Sequence, residues 1–308
     1  MTNTNFTNDK RKLPFGHSAA IIDEFTITTL DQMDLDLPKI MYGEQLTTDF
    51  CVKYINWIKS TSCNTVYGLD GFPYYTYSNG TSEAFDKFYM RNRTRRFRCF
   101  KAEYLYHQLA WRNSWPDWKY IEDDDIKPND AVVISLPFAD TGDKHKLHDQ
   151  ILNTCDRLGV PVLIDCAYFG ISSDIIFDFD YPCITDVVFS LSKTFPVAHA
   201  RIGMRLTRID DDDSMFVYHK SLYNNRIGAA IGGYFLDRYS PSYIPDKYRS
   251  RQHEFCNYLK VVPSKTVLFG IATDTWLQYN RGGETNRLSL HKFLHLETLQ
   301  EFIKEFKG

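Results

Sequence analysis

The polar segment between two short apolar runs holds the residues most suited to chemistry. The runs are Val187–Phe189 and Ile202–Leu206, and each predicts a buried strand. Four polar residues lie between these runs: Ser190, Ser192, Lys193 and Arg201. Polar residues at the carboxyl ends of buried strands are where α/β proteins keep their chemistry. Because lysine is seldom buried unless it is paired, Lys193 in this position indicates an active site.

A third apolar run, Val162–Ile164, predicts another strand, and Asp165 follows it directly. Ala167 and Tyr168 come next, so the strand ends in the sequence Asp-x-Ala-Tyr. The aspartate stands 28 residues before Lys193. A carboxylate at a strand end is a second candidate for the same kind of site.

A Gly-Thr-Ser turn, formed by Gly80, Thr81 and Ser82, precedes the predicted helix Glu83–Met90. A turn that opens a helix offers free backbone N–H groups, two hydroxyls and the positive end of the helix dipole, so it is suited to binding an anion. The alternative is ordinary helix capping by one of the hydroxyls, with the glycine as the turn residue. The turn alone leaves both interpretations open.

Together these motifs resemble those of the fold-type I pyridoxal-phosphate enzymes, of which aspartate aminotransferase is the type member. The Ser-x-Ser-Lys sequence, with Arg201 eight residues after Lys193, is similar to the family's cofactor-lysine segment. The Asp-x-Ala-Tyr sequence that begins at Asp165 looks like its pyridine-binding strand end. The order and spacing of the two motifs carry the resemblance, which covers residues 78 to 206.

The resemblance implies pyridoxal 5'-phosphate as the cofactor. Lys193 would form a Schiff base with its aldehyde and later move protons at the α-carbon of the substrate. This requires a neutral amine, and burial together with the nearby Arg201 would lower the pKa of Lys193. Asp165 would keep the pyridine nitrogen protonated, and Tyr168 would hydrogen-bond the phenolic oxygen.

The resemblance also implies contacts to the phosphate, the ring and the substrate. The residues that would hold the phosphate are Gly80, Thr81, Ser82, Ser190, Ser192 and Arg201. Tyr104, or Tyr106 in its place, would stack on the pyridine ring, and the alternative is an ordinary core tyrosine. Arg287, in the sequence Asn-Arg-Leu-Ser, would bind the α-carboxylate of the substrate, and the alternative is a surface or ion-paired arginine.

The segment 137–142 departs from the family at a functional position. It resembles the loop Asn-Pro-x-Asn-Pro-Thr-Gly in Pro137, Thr141 and Gly142. The asparagine that would hydrogen-bond the phenolic oxygen falls on Ala139, which has no side-chain donor. Either another residue donates this hydrogen bond or the bond is missing, and this departure favours a specialised activity.

Strands and helices alternate along the chain, which predicts a mainly parallel sheet with right-handed crossovers. The resemblance implies an α/β fold, with a three-layer αβα large domain of pyridoxal-phosphate fold type I and a smaller α+β C-terminal domain. We expect residues 1–45 to form an N-terminal arm and part of the small domain, residues 46–240 the large domain, and residues 241–308 the small domain. The stretch Asn64–Tyr77, rich in Gly, Pro and Tyr, predicts a loop, and Thr275–Tyr279 predicts a strand.

The composition is that of an ordinary globular protein, with 308 residues, 43% of them hydrophobic and 24% charged. A net charge of −3 argues against a nucleic-acid partner. No stretch approaches the roughly 18 apolar residues of a membrane span and no signal region is apparent, so we expect no membrane partner. Seven cysteines without a Cys-x-x-Cys pair predict reduced thiols and a cytoplasmic protein. We predict no metal site, because no carboxylate or cysteine pattern joins the pairs His145-x-x-His148 and His291-x-x-x-His295.

The resulting hypothesis is an aminotransferase that passes the amino group of an amino acid to a 2-oxo acid through a Schiff base on Lys193. Because members of the family are homodimers with shared active sites, we expect a homodimer, with Tyr67 as the residue that one subunit lends to the other. A first alternative is another reaction of the same cofactor: decarboxylation, elimination or oxidation of an amino acid. A second is a non-catalytic binding module that has kept the fold, and the retained Lys193, Asp165 and Arg201 argue against it.

Overall fold

The computed structural model describes residues 13–114, 117–210 and 213–307. The strands within these ranges are β1 (Thr65–Tyr67), β2 (Tyr74–Asn79), β3 (Arg96–Cys99), β4 (Trp118–Tyr120), β5 (Asp130–Ser135), β6 (Val162–Cys166), β7 (Ile176–Asp178), β8 (Ile184–Ser190), β9 (Ile202–Thr207), β10 (Val262–Pro263), β11 (Phe269–Ala272) and β12 (Asn286–Ser289). The α-helices are α1 (Glu24–Asp31), α2 (Leu37–Tyr42), α3 (Leu46–Lys59), α4 (Thr81–Arg91), α5 (Leu105–Ser114), α6 (His148–Leu158), α7 (Ser214–Lys220), α8 (Arg226–Arg238), α9 (Tyr243–Leu259) and α10 (Leu299–Lys307).

Seven of these strands form the central sheet, in the order β2-β9-β8-β6-β5-β3-β4. β9 runs antiparallel to both of its neighbours, and every pair from β8 to β4 is parallel. Parallel neighbours need a crossover connection, which α5 supplies between β3 and β4 and α6 between β5 and β6. The predicted α/β fold with a mainly parallel sheet is confirmed.

Helices cover both faces of this sheet. Alternate residues of β5 enter different apolar clusters: Val132 and Ile134 belong to one, and Ala131 and Val133 to the other. The first cluster includes apolar residues of α3, α6 and α8, and the second includes those of α4. A strand that is buried on both sides reads as a continuous apolar run, which is why β5, β6, β8 and β9 were predictable from the sequence.

A second, smaller sheet is formed by the antiparallel strands β10, β11 and β12. It shares an apolar cluster with α9 and α10 and with two residues from the start of the chain, Phe15 and Ile21. The N–H of Ser289 in β12 donates to the carbonyl of Phe15 at 3.0 Å, which ties the N-terminal segment to this sheet. The domain boundaries at residues 45 and 240 stay a prediction, and residues 1–12 of the expected arm lie outside the described ranges.

Two local predictions are wrong. The stretch Asn64–Tyr77 is not a loop, because it contains β1 and most of β2, and β2 pairs with β9 along its whole length. Its tyrosines fit an edge strand, and the glycines and proline that suggested a loop lie between β1 and β2. The stretch Thr275–Tyr279 is not a strand, because Trp276 has a φ of 60° and a short 3₁₀ turn, Leu277–Tyr279, follows it.

No helix in the described part of the chain is both long and apolar enough to cross a membrane. Six of the seven cysteines are buried, and Cys63 is partly exposed. His145 stacks on Phe100 with 3.6 Å between the ring centroids, and His148 is buried.

Candidate active site

A cavity of about 150 Å³ opens at the carboxyl ends of β5, β6 and β8, next to the first residues of α4. Ser135 ends β5 and pairs in register with Asp165 near the end of β6, so both side chains reach the same edge of the sheet. Eight of the residues predicted from the sequence line this cavity: Thr81, Ser82, Tyr104, Asp165, Tyr168, Ser192, Lys193 and Arg201. The fold thus brings together residues that are up to 120 positions apart.

The Gly-Thr-Ser turn and Arg201 form one end of the cavity. The N–H of Gly80 donates to the carbonyl of Arg201 at 3.1 Å, and Arg201 Nη2 donates to Ser82 Oγ at 2.9 Å and to the carbonyl of Asn79 at 3.1 Å. Thr81 is the first residue of α4, so the free N–H groups of this helix start beside the guanidinium. A guanidinium next to a helix N-terminus and two hydroxyls is an arrangement that suits a phosphate.

Gly80 has a backbone that other residues rarely adopt, with φ 70° and ψ −171°. A Cβ at this position would lie 2.8 Å from Arg201 Cζ and 3.3 Å from Arg201 Nη1. Glycine therefore lets the turn and the guanidinium approach each other closely, and any other residue would push them apart.

Ser190 lies behind Ser192 and away from the cavity lining. Its hydroxyl is 2.8 Å from the hydroxyl of Ser192 and donates to the carbonyl of Ile202 at 3.2 Å. The Ser192 N–H also donates to Ser190 Oγ at 3.2 Å. Ser190 thus holds the loop that presents Ser192, and its predicted contact with the phosphate stays a prediction.

Asp165 also lines the cavity and is 4% exposed. Its Oδ1 accepts a hydrogen bond from the Ala167 N–H at 3.0 Å, and its Oδ2 is 3.6 Å from His107 Nε2. His107 Nδ1 is 2.5 Å from the hydroxyl of Tyr89. The carboxylate is therefore backed by a buried histidine and a buried tyrosine, neither of which the sequence indicated as a site residue.

Lys193 lies between this cavity and a second one of about 250 Å³. Its Nζ donates to the carbonyl of Ser18 in the N-terminal segment at 2.7 Å. Burial lowers the pKa of Lys193, the cations Arg287 and Arg201 lower it further, and the phenol of Tyr168 acts in the opposite direction. A larger neutral fraction makes the amine a better nucleophile and base.

The second cavity is lined by Arg287, and its predicted contact with a substrate carboxylate stays a prediction. Arg287 is 8% exposed, donates through Nη1 to the carbonyl of Ala139, and lies over the ring of Phe269 at 4.3 Å. Burial and the nearby Arg281 lower the pKa of Arg287 to about 10. The alternative of a surface arginine is excluded by this burial.

Arg281 also lines the second cavity and is a site residue that the sequence did not indicate. Its Nη1 donates to the same carbonyl of Ala139 at 3.0 Å. The loop that carries it is held by Asn280, whose side chain donates to the carbonyls of Gly283 and Thr285 at 3.0 and 3.1 Å. Ala139 lines the first cavity, and its carbonyl accepts hydrogen bonds from both guanidiniums.

Tyr104 and Tyr168 line both cavities. Tyr104 is 43% exposed, and its predicted stacking on a bound ring stays a prediction. Tyr106, the alternative, donates its hydroxyl to Asp86 at 2.7 Å and packs against Phe85. For Tyr168 burial acts to raise the pKa, but Arg287, Lys193 and Arg281 together lower it below its usual value.

Four further polar residues belong to this region: Glu103, His107, Ser135 and Arg281. Glutamate before a predicted helix is ordinarily exposed, so no local pattern indicated that Glu103 would be buried. The other three contact the site only through tertiary packing. Tyr67, the residue expected to reach a partner subunit, lies in β1 and is 53% exposed.

No protein-family model and no curated protein matches the chain. Solved structures do match it, among them histidinol-phosphate aminotransferase from Clostridium acetobutylicum, with a TM-score of 0.64 and 15% identity over 96% of this chain and 98% of that one. A pyridoxal-phosphate-bound C-S lyase from Staphylococcus hominis matches with a TM-score of 0.65 and 10% identity over 99% of this chain and 96% of that one. L-threonine-O-3-phosphate decarboxylase from Porphyromonas gingivalis matches with a TM-score of 0.59 and 14% identity over 94% of this chain and 97% of that one. The chain therefore has the fold of the fold-type I pyridoxal-phosphate enzymes.

Proposed function

We propose that the protein is a pyridoxal-phosphate-dependent enzyme of amino-acid metabolism, and specifically an aminotransferase. The observation that supports this proposal is the lining of the first cavity, which combines the amine of Lys193, the carboxylate of Asp165, the guanidinium of Arg201 and the hydroxyls of Thr81 and Ser82. The structural neighbours support it at the level of the fold, and they include aminotransferases, a lyase and a decarboxylase.

The described residues fit the cofactor at both ends. Gly80, Ser82 and Arg201 form a cradle that a Cβ at position 80 would obstruct, and the cradle meets the N-terminus of α4. Asp165 offers a buried carboxylate for a protonated ring nitrogen, and the same lining contains the aromatic ring of Tyr104 and the small side chain of Ala167. A dianionic phosphate, a flat ring and a cationic nitrogen thus each have a complementary group in one cavity.

When bound, pyridoxal 5'-phosphate acts as an electron sink for an amino acid attached to it. Lys193 Nζ, with its lowered pKa, provides the amine that attaches the cofactor and then takes and returns a proton at the α-carbon of the substrate. The negative charge of Asp165 would favour a proton on the ring nitrogen of the bound cofactor. Arg287 binds the α-carboxylate through its guanidinium and orients the amino acid in the second cavity.

Arginine in the second cavity favours reactions that retain the carboxylate, which are transamination and elimination, over decarboxylation. The second candidate, an elimination or decarboxylation of an amino acid, is favoured by Ala139. This residue places a methyl group in the cavity where the family has an amide donor, so the ring oxygen has one donor fewer and Tyr168 is the nearest replacement.

The test is the visible absorbance of the purified protein after addition of pyridoxal 5'-phosphate, at roughly 410–430 nm, where such lysine adducts absorb. Lys193→Ala should lose the band, and the exposed Lys292→Ala should keep it. An aminotransferase loses the band on addition of one amino acid and regains it with a 2-oxo acid. Within the second candidate, release of carbon dioxide would identify a decarboxylation. Release of ammonia and a 2-oxo acid without an added acceptor would identify an elimination. No band in the wild type would leave only the non-catalytic module.

We also propose that the protein is a cytoplasmic homodimer. The buried cysteines suit a reducing compartment, and apolar side chains on α1, α2 and β1 are left exposed, including Phe25 (57%), Leu37 (51%) and Tyr67 (53%). Sedimentation analysis tests the dimer: wild type should sediment as two chains, and Leu37→Glu should shift it towards one chain.

A further inference from the structure

Glu103 is a fully buried acid directly behind the floor of the first cavity. It is 0% exposed and precedes α5, and its Oε1 accepts a hydrogen bond from the hydroxyl of Ser135, which lines the cavity. Its Oε2 is also buried and has no hydrogen-bond partner among the described residues. A buried carboxylate with one oxygen unpaired is far more costly than a neutral carboxyl group in the same place.

The second acid of this cluster is Asp165, which pairs in register with Ser135 across β5 and β6. Burial raises the pKa of Glu103 to about 8, and the negative charge of Asp165 acts in the same direction. The hydrogen bonds from Ser135 and from the Tyr104 N–H and the charge of Arg281 oppose this shift. His107, from α5, contacts Asp165 through Oδ2 of the carboxylate.

Asp165 has the better partners for a negative charge. It accepts the Ala167 N–H and contacts His107, whereas Glu103 accepts the Ser135 hydroxyl and the Tyr104 N–H and keeps one buried oxygen without a partner among the described residues. When two carboxyls share a buried site, one keeps a proton and the better-solvated one ionises. The chain therefore builds an asymmetric pair of acids at the floor of the first cavity.

We propose that Glu103 is a positioning residue for Asp165: it stays protonated in this buried cluster, and so leaves the single negative charge of the two acids on Asp165. The use of that charge on a ring nitrogen rests on the proposed function, but the location of the proton is a property of the protein alone. Ionisation of Glu103 then adds a second negative charge behind the ring. The added negative charge on Glu103 strengthens the binding of a cation at Asp165. Because the two equilibria are linked, a cation bound at Asp165 must in turn favour the ionisation of Glu103.

The first experiment measures the titration of Glu103 in the protein without cofactor, by carbon NMR of side-chain-labelled glutamate. Glu103→Gln identifies the signal by removing it, and the exposed Glu254→Gln should leave it in place. We expect Asp165→Asn to lower the Glu103 midpoint by about one pH unit, because a like charge is removed, and Ser135→Ala to raise it. If Glu103→Gln does not fold, the opposite shifts in the other two variants still identify the signal. A Glu103 signal that titrates in the ordinary glutamate range, or that ignores Asp165→Asn, overturns the proposal.

The second experiment adds pyridoxal 5'-phosphate and, separately, its analogue in which carbon replaces the ring nitrogen. Pyridoxal 5'-phosphate should lower the Glu103 midpoint by about one pH unit, a ten-fold change in the acid dissociation constant, and the analogue should not. Equal shifts with both compounds, or no shift with either, would contradict the coupling to a ring nitrogen. A wild-type protein that binds neither compound would refute the proposed function, while the titration without cofactor still decides where the proton lies.

Discussion

Replacement of Gly80 by alanine tests whether the turn and Arg201 form a phosphate site. The backbone at Gly80, with φ 70° and ψ −171°, lies in a region that is essentially restricted to glycine, so alanine costs about 1–3 kcal/mol of folding free energy. The new Cβ would also lie 2.8 Å from Arg201 Cζ, and the guanidinium must move. Loss of one charge-assisted hydrogen bond to a phosphate is worth about 1.5–3 kcal/mol, or roughly ten- to hundred-fold in affinity.

The matched control is Gly159→Ala. Gly159 ends α6 with φ 63° and ψ 34°, and a Cβ there meets nothing within 4 Å. Alanine in this left-handed conformation costs about 1–2 kcal/mol of folding free energy, which is comparable to the strain at Gly80. Gly159, however, does not belong to the candidate site.

Two measurements separate strain from phosphate binding. Urea denaturation without cofactor gives the free energy of unfolding, and both variants should be less stable than wild type. Titration of the tryptophan fluorescence with pyridoxal 5'-phosphate and with pyridoxal, which has no phosphate, gives the preference for the phosphorylated compound. Gly80→Ala should lose most of this preference and Gly159→Ala should keep it. A Gly80→Ala protein with the wild-type preference would refute the assignment of the phosphate to this turn.

Two further perturbations test the second cavity and the buried acid. Arg287→Met should raise the amino-acid concentration needed for half-maximal conversion of the cofactor band by ten-fold or more. Arg281→Met should raise this concentration by less, because Arg287 is the buried member of the pair. Equal effects of the two substitutions would contradict the assignment of the carboxylate to Arg287. The pKa of Glu103 is raised from 4.5 to about 8, so between these pH values Glu103 binds a proton in the folded state but not in the unfolded state. The free energy of unfolding should therefore fall as the pH rises through this range, by at most roughly 5 kcal/mol. Above this range it should no longer change with the ionisation of Glu103. The difference in unfolding free energy between wild type and Glu103→Gln isolates this contribution, and a difference that does not change with pH would contradict it.

The parts of the fold that the sequence predicted are those in which local pattern and burial agree. The strands β5, β6, β8 and β9 are buried on both faces, and their apolar runs are unmistakable. Lys193 and Asp165 were predictable because each lies at the end of such a strand. β2 was not, because an edge strand rich in tyrosine and flanked by glycine and proline has the composition of a loop.

The parts of the site that could not be predicted depend on contacts between distant segments. Arg281 and Ala139 meet across 142 positions, and Glu103 and Ser135 meet across 32. A single sequence carries no signal for such pairs, since each residue alone has the pattern of an exposed or ordinary position. The departure at Ala139 was visible in the sequence, but the use of its carbonyl by two arginines was not.

Under the proposed function, the shared carbonyl of Ala139 has a consequence for how the carboxylate of a substrate is received. Arg287 and Arg281 both donate to it, so their long side chains are already ordered before any ligand arrives. Freezing such a side chain on binding costs about 0.5–1.5 kcal/mol, and here that cost is met during folding. An incoming carboxylate therefore exchanges with a hydrogen bond to the backbone rather than organising two flexible side chains. This preorganisation makes the receptor for the anion a rigid part of the protein.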